Sequence, residues 1–165
     1  ASELVTQGFS KYQTRKQEVR LTMNAKKILV PVDFSSGSEA ALVLATSLAR
    51  DSGAKLLITY VQVPPLSTGG GEFMYIEPGP PTEEIRARLA TVLPKDPQIP
   101  VEHRLLNGDP ADCIVKLAED EKADFIVMGT HGRRGLTRVL MGSVAELVVR
   151  WAKCPVITVK SPPKK

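Results

Sequence analysis

The sequence predicts an α/β protein: a parallel sheet with helices on both faces. Three observations carry that prediction. Five short apolar runs alternate with four segments of helical period, and such alternation demands a parallel sheet joined by right-handed crossovers. Lys27 to Asp33 and Phe125 to Met128 are apolar nearly throughout instead of alternating, the pattern of central strands buried on both sides. Last, the run ending at Met128 empties into a glycine-bearing loop that leads to a helix start at Gly142-Ser143.

The elements follow in order. Residues 1–25 are polar with scattered apolar positions and no sustained period, and read as a flexible extension. The domain spans 26–160, and 161–165 form a tail. Strand one, Lys27 to Asp33, should end near Pro31, which has no N–H to donate to a ladder. A helix starts in Ser35-Ser36-Gly-Ser-Glu39: Ser36 with Glu39 fits a capping box, and Ser35 is a rival cap. Ala41, Leu44, Ala45, Leu48 and Ala49 form its apolar stripe, and Gly53 closes it. Strand two runs from Lys55 to Val63. The connection 64–81 is long for a compact domain and contains Gly69-Gly-Gly71 beside Phe73-Met-Tyr-Ile76, so it is expected to be flexible or to fold over a partner. A short helix from Thr82 to about Leu93 precedes strand three, Ile99 to Leu106. Asp109-Pro110 is a firm helix start, cap followed by proline in the first helical position. Strand four follows at Phe125, and strand five is Cys154 to Val159.

Composition excludes several classes. The chain has 165 residues and a net charge of +4, but residues 1–26 hold +3 and 160–165 another +3, leaving the body at −2. Nucleic-acid binding by the folded domain is therefore disfavoured. No apolar run reaches membrane-spanning length, and the first residues lack the apolar core of a secretory signal. Cys113 and Cys154 lie in apolar-periodic segments without ligand spacing, which suggests core residues of a reduced, cytoplasmic protein and no protein metal site.

The loop carries the chemistry. Gly129, Gly132 and Gly135 follow strand four, and Gly142-Ser143 opens the next helix. Backbone N–H groups at a helix start converge on an anion, and glycine lets a phosphate approach them. The glycines are also expected to supply positive φ at the turn. Ser143 adds a hydroxyl for a phosphate or a phosphate-bound Mg²⁺. This is neither a Walker loop nor a dinucleotide fingerprint. The spacing Gly129-x-x-Gly132-(nine residues)-Gly142-Ser143 resembles the nucleotide-binding signature of the universal stress protein family, ATP-binding subgroup. Lys27-Ile-Leu-Val-Pro-Val-Asp33, Ala123 to Gly132, Gly142 to Glu146 and Cys154 to Val159 are similar to the family's opening strand, fourth strand, closing helix and last strand.

The resemblance implies an open five-stranded sheet of order 3-2-1-4-5, Rossmann-like and akin to the adenine nucleotide alpha hydrolases. It implies ATP, ADP or AMP as ligand, with Mg²⁺, and a homodimer through Val156, Ile157, Thr158 and Val159. By the same resemblance Pro31, Val32 and Asp33 border the adenosine and Val61 touches the base. Met128 and Gly129 line the ribose side, and Gly132, Gly142, Ser143 and Val144 hold phosphates. His131 and Arg133 are expected beside the phosphates, although a loop-supporting histidine and a solvated arginine are equally ordinary. Asp33 at a strand end also suits a helix cap, Val61 and Met128 would be core by default, and His103 on a strand reads as structural. Trp151 is expected in the core or an interface. Three functions follow: a nucleotide-dependent stress-response module, favoured here; a slow ATP hydrolase or adenylyl-transferring enzyme; and a nucleotide-free dimeric interaction protein. No catalytic residue is assigned.

Overall fold

The computed structural model describes residues 24–64, 80–130 and 141–160. Its elements are β1 (Lys27–Pro31), α1 (Ser36–Ser52), β2 (Lys55–Gln62), α2 (Thr82–Ala90), β3 (Val101–Asn107), α3 (Pro110–Asp120), β4 (Phe125–Gly129), α4 (Ser143–Trp151) and β5 (Val156–Val159). The five strands form one parallel sheet ordered β3-β2-β1-β4-β5. The predicted alternation and strand order both hold.

Side-chain parity divides the core. Ile28, Val30 and Val32 of β1 and its extension pack with Leu56 and Ile58 of β2 and Ala41, Ala45 and Ala49 of α1 on one face. Leu29, Leu57, Ile126 and Met128 point the other way, into a cluster with Ala111, Ile114, Ala145 and Val148 of α3 and α4. Alanines at every fourth position of α1 let that helix lie close to the sheet, along β1 and β4.

Local signals set the helix boundaries. Ser35 caps α1, its hydroxyl oxygen accepting from Ser38 N at 3.3 Å; the capping box built on Ser36 is not formed, because Ser36 is already helical. Gly53 ends α1 at φ +75°, donating to the Ala49 carbonyl. Asp109 caps α3 by accepting from Ala111 N and Asp112 N at 2.9 and 3.1 Å. At the amino end of the sheet, Asp124 Oδ2 accepts from the backbone N–H groups of Lys26 and Lys27 at 2.8 and 2.9 Å, which fastens β1 beside β4.

Some boundaries and burials differ from expectation. β3 begins at Val101 and β5 at Val156, since Pro100 and Pro155 precede them and contribute carbonyls to the neighbouring strands. α2 ends at Ala90, where Thr91 turns back on Arg88 and Leu89. Trp151 is 45 % exposed, so it is not a core residue, and the two cysteines are half-buried. Both sit at the margins of the α3–α4 layer, where the helices no longer cover them fully.

Candidate functional site

The sheet opens at its carboxyl edge between β1 and β4. These strands pair through Ile28–Phe125 and Leu29–Ile126 in their amino halves. Beyond that each bonds to its outer neighbour: Val32 N donates to Thr59 O at 2.8 Å, and Thr130 N to Val159 O at 2.8 Å. The two chain ends thus part, and the crossovers leave to opposite faces. This is the topological switch point at which open α/β sheets bind ligands.

Parity decides which predicted residues share a face. Met128 is buried in the α3–α4 cluster, and Val61, Met141 and Val144 pack against it half-buried. Pro31, the last residue of β1, shares the parity of Leu29 and so belongs to that face; Asp33 lies in the turn that follows the strand. Pro31, Val61, Met128 and Val144 therefore assemble at one end of one face, with Asp33 in the turn at the carboxyl end of β1. Val32 does not join them. Its side chain is buried among the α1 residues on the opposite face, so only its backbone borders the crevice.

The Asp33 carboxylate is tied locally. Its Oδ1 accepts from Ser35 N at 3.1 Å and from Ser35 Oγ at 2.5 Å. Ser38 Oγ donates to Ser35 O at 2.9 Å and accepts from Asp33 N at 3.4 Å. The turn into α1 is thereby a closed hydrogen-bonded knot that holds Asp33 at the crevice. The cap expected of Asp33 is supplied by Ser35 instead, and Asp33 steadies the helix entry by accepting from that residue.

Gly129 and Gly142 do not use positive φ. Gly142 lies at φ −73°, ψ 156°, and the positive-φ glycines among the described residues are Gly53 and Gly108. Gly129 is required by closeness: a Cβ there would stand 2.8 Å from the Gly37 carbonyl carbon. The lack of a side chain at residue 129 lets the end of β4 touch the backbone of the first turn of α1 at Gly37. Gly142 N donates to Thr130 O at 2.6 Å, so this N–H is committed within the protein and is not offered to an anion. That bond fastens the start of α4 to the end of β4. The first intrahelical bond is Glu146 N to Gly142 O, which leaves the N–H groups of Ser143, Val144 and Ala145 without intrahelical partners at the amino end of α4. Gly142 has no side chain to cap them.

His131, Gly132 and Arg133 lie outside the described residues. His103 is structural, its Nε2 2.8 Å from the Val92 carbonyl. Burial pushes the Cys113 thiol up, and the Asp109 and Asp112 carboxylates push it further, so its thiolate is disfavoured and a nucleophilic role is not supported. Among the described residues no group of three His, Cys, Asp or Glu could hold a metal ion. No described helix is long and apolar enough to cross a membrane. Sequence reasoning missed Ser38 and Thr130 and foresaw Ser35 only as a rival cap; the Asp-x-Ser spacing of an Asx turn was the available signal for its bond to Asp33.

Residues 24–160 match the model of the universal stress protein family, and the chain belongs to that family. Universal stress protein MJ0531 of Methanocaldococcus jannaschii is 37% identical over 144 residues, covering 85% of each chain. A universal stress protein solved in complex with cAMP superposes with a TM-score of 0.60 at 28% identity, covering 84% of this chain and 98% of that one. The universal stress protein of Archaeoglobus fulgidus in complex with dAMP gives 0.58 at 29% identity, covering 82% and 98%.

Proposed function

We propose that this chain is an ATP-binding member of its family, acting as a nucleotide-dependent stress-response module. The supporting observation is the one-sided assembly of Val61, Met128 and Val144 at the switch point, with Asp33 at the adjoining end of β1 and the first turn of α4 fastened beside it. Solved relatives hold cAMP and dAMP, which favours an adenine nucleotide. In this reading Val61 and Met128 meet the base and the ribose side, bordered by the Pro31–Asp33 backbone. The N–H groups of Ser143 and Val144 receive phosphate, at the end of α4 where the helix dipole favours negative charge. Gly142 contributes a surface without a side chain. Ser143, the first residue of α4, would offer its Oγ to a phosphate-bound Mg²⁺, which would neutralise charge between phosphates.

Two finer claims go with it. The protein binds ATP without efficient turnover, a reading supported by the two Ser35 donors on Asp33 Oδ1, which give that carboxylate a task in the turn. It also forms a homodimer through β5, an apolar edge strand, Val-Ile-Thr-Val, that pairs with β4 on its inner side and needs cover on the other.

Calorimetric titration with ATP and Mg²⁺, followed by an assay for released phosphate, tests the reading. Saturable binding with negligible release is expected. Steady release would shift the assignment to a hydrolase, and absence of binding to ATP, ADP and AMP alike would overturn it. Sedimentation at the monomer mass across micromolar concentrations would overturn the dimer.

A further inference from the structure

We propose that Arg88 is a positioning residue for the nucleotide: through the Phe34 ring it holds the turn that aims Asp33, so that α2, on one face of the sheet, sets affinity at the site on the other. The inference rests on the nucleotide reading above and adds a control on that same site.

Asp33 and Phe34 are consecutive residues of the turn that follows β1. Asp33 stands at the crevice; Phe34 packs with the α1 cluster. Phe34 has φ +63°, a left-handed conformation that a bulky L-residue keeps only where its surroundings over-determine it. At Gly53 the same conformation is met by a glycine. A phenylalanine in this place keeps a strained backbone for the sake of its ring. That ring stacks on Tyr60, centroids 4.9 Å apart at 21°, and the Arg88 guanidinium carbon lies 4.0 Å from its centroid.

The strained residue lies between the two ends of the Asp33 knot. Ser35 N and Oγ reach Asp33 Oδ1 only because the chain reverses at Phe34. Were Phe34 to relax to negative φ, Ser35 would swing away and take its two donors from the carboxylate. The cation–π contact of Arg88 thus acts on Asp33 without touching it. Arg88 is exposed and Ile85 and Leu89 anchor α2 in the core, so removing the guanidinium loosens the turn and leaves the fold. A cleft of about 200 Å³ beside the stack, lined by Phe34, Glu39, Leu42, Arg88 and Val92, leaves this contact open to the solvent side.

The test is calorimetric titration of the full chain with ATP and Mg²⁺, unsubstituted and as Arg88→Met, Arg88→Lys, Phe34→Gly and the double variant Arg88→Met with Phe34→Gly. Thermal midpoints establish that each is folded. Arg88→Met is expected to weaken ATP about two- to fivefold, the scale of an exposed cation–π contact. Arg88→Lys should restore most of the loss. In the Phe34→Gly background Arg88→Met should have no further effect, because the ring that transmits it is gone. Unchanged affinity in Arg88→Met, or an equal loss with and without the ring, overturns the inference while leaving the nucleotide reading intact. Failure of the unsubstituted chain to bind overturns both.

Discussion

At the residue scale, two glycines illustrate different physical demands. Gly53 is needed for its dihedral angle: φ is +75° and a Cβ would meet nothing within 4 Å. Gly129 is needed for space against Gly37. Gly53→Ala should therefore cost about 1 kcal/mol of stability from the left-handed backbone alone, with ATP affinity unchanged. Gly129→Ala should cost more, about 1–3 kcal/mol from forced separation of β4 and α1, and should weaken ATP because both walls of the crevice move. Denaturant midpoints and titrations on the two variants separate these effects; equal behaviour would contradict the distinction. The sequence marked Gly129 as a glycine of the loop signature, but the packing that requires it was not legible. A close approach between residues 37 and 129 belongs to tertiary packing, which spacing cannot show.

At the element scale, each helix entry is a separate small device. The α3 start was fully legible, because Asp109-Pro110 combines a cap with a residue whose missing N–H would be unpaired anyway. Asp109→Ala should lower stability by about 0.5–2 kcal/mol, read as a shift of the thermal midpoint; no shift would mean that Pro110 alone sets the boundary. The α1 start was less legible. Ser35, Ser36 and Ser38 offer three hydroxyls in four residues, and Asp33 decides among them by accepting from Ser35. The strand ends were blurred for a similar reason. Ile99 and Cys154 continue the apolar pattern, but a proline follows each and delays the ladder.

At the scale of the whole molecule, the two ends of the sheet have opposite tasks. The carboxyl edge opens into the crevice, and the amino half carries a ladder of charges: Lys27 to Glu121, Glu121 to Arg104, Arg104 to Glu102, Glu102 to Lys55. The Lys55 hydrogen bond, with Arg104 beside it, holds the Glu102 carboxyl below the usual glutamate range. Lys27 first, then Arg104, does the same for Glu121. A carboxylate whose folded pKa is lowered stabilises the fold above its unfolded pKa, and the contribution disappears as pH falls through the folded value. The thermal midpoint should therefore hold from neutrality to about pH 5 and fall below the ordinary glutamate pKa near ~4.3. Glu102→Gln with Glu121→Gln should flatten that acid decline. An unchanged acid slope would remove the ladder from the account. Fold class and strand order were legible in the alternation of elements and in the family resemblance. The ladder was not, since its members come from β1, β2, β3 and the end of α3 and meet only when the strands stand in register.

The most direct measurement on the central claim is an amide NMR titration of the protein with ATP and Mg²⁺. The account predicts saturable shifts at Asp33, Val61, Met128, Ser143 and Val144, with Glu102, Arg104 and Glu121 at the far end of the sheet unmoved. Saturable shifts centred on the charge ladder or the α1–α2 cleft, with the β1–β4 crevice silent, would contradict it.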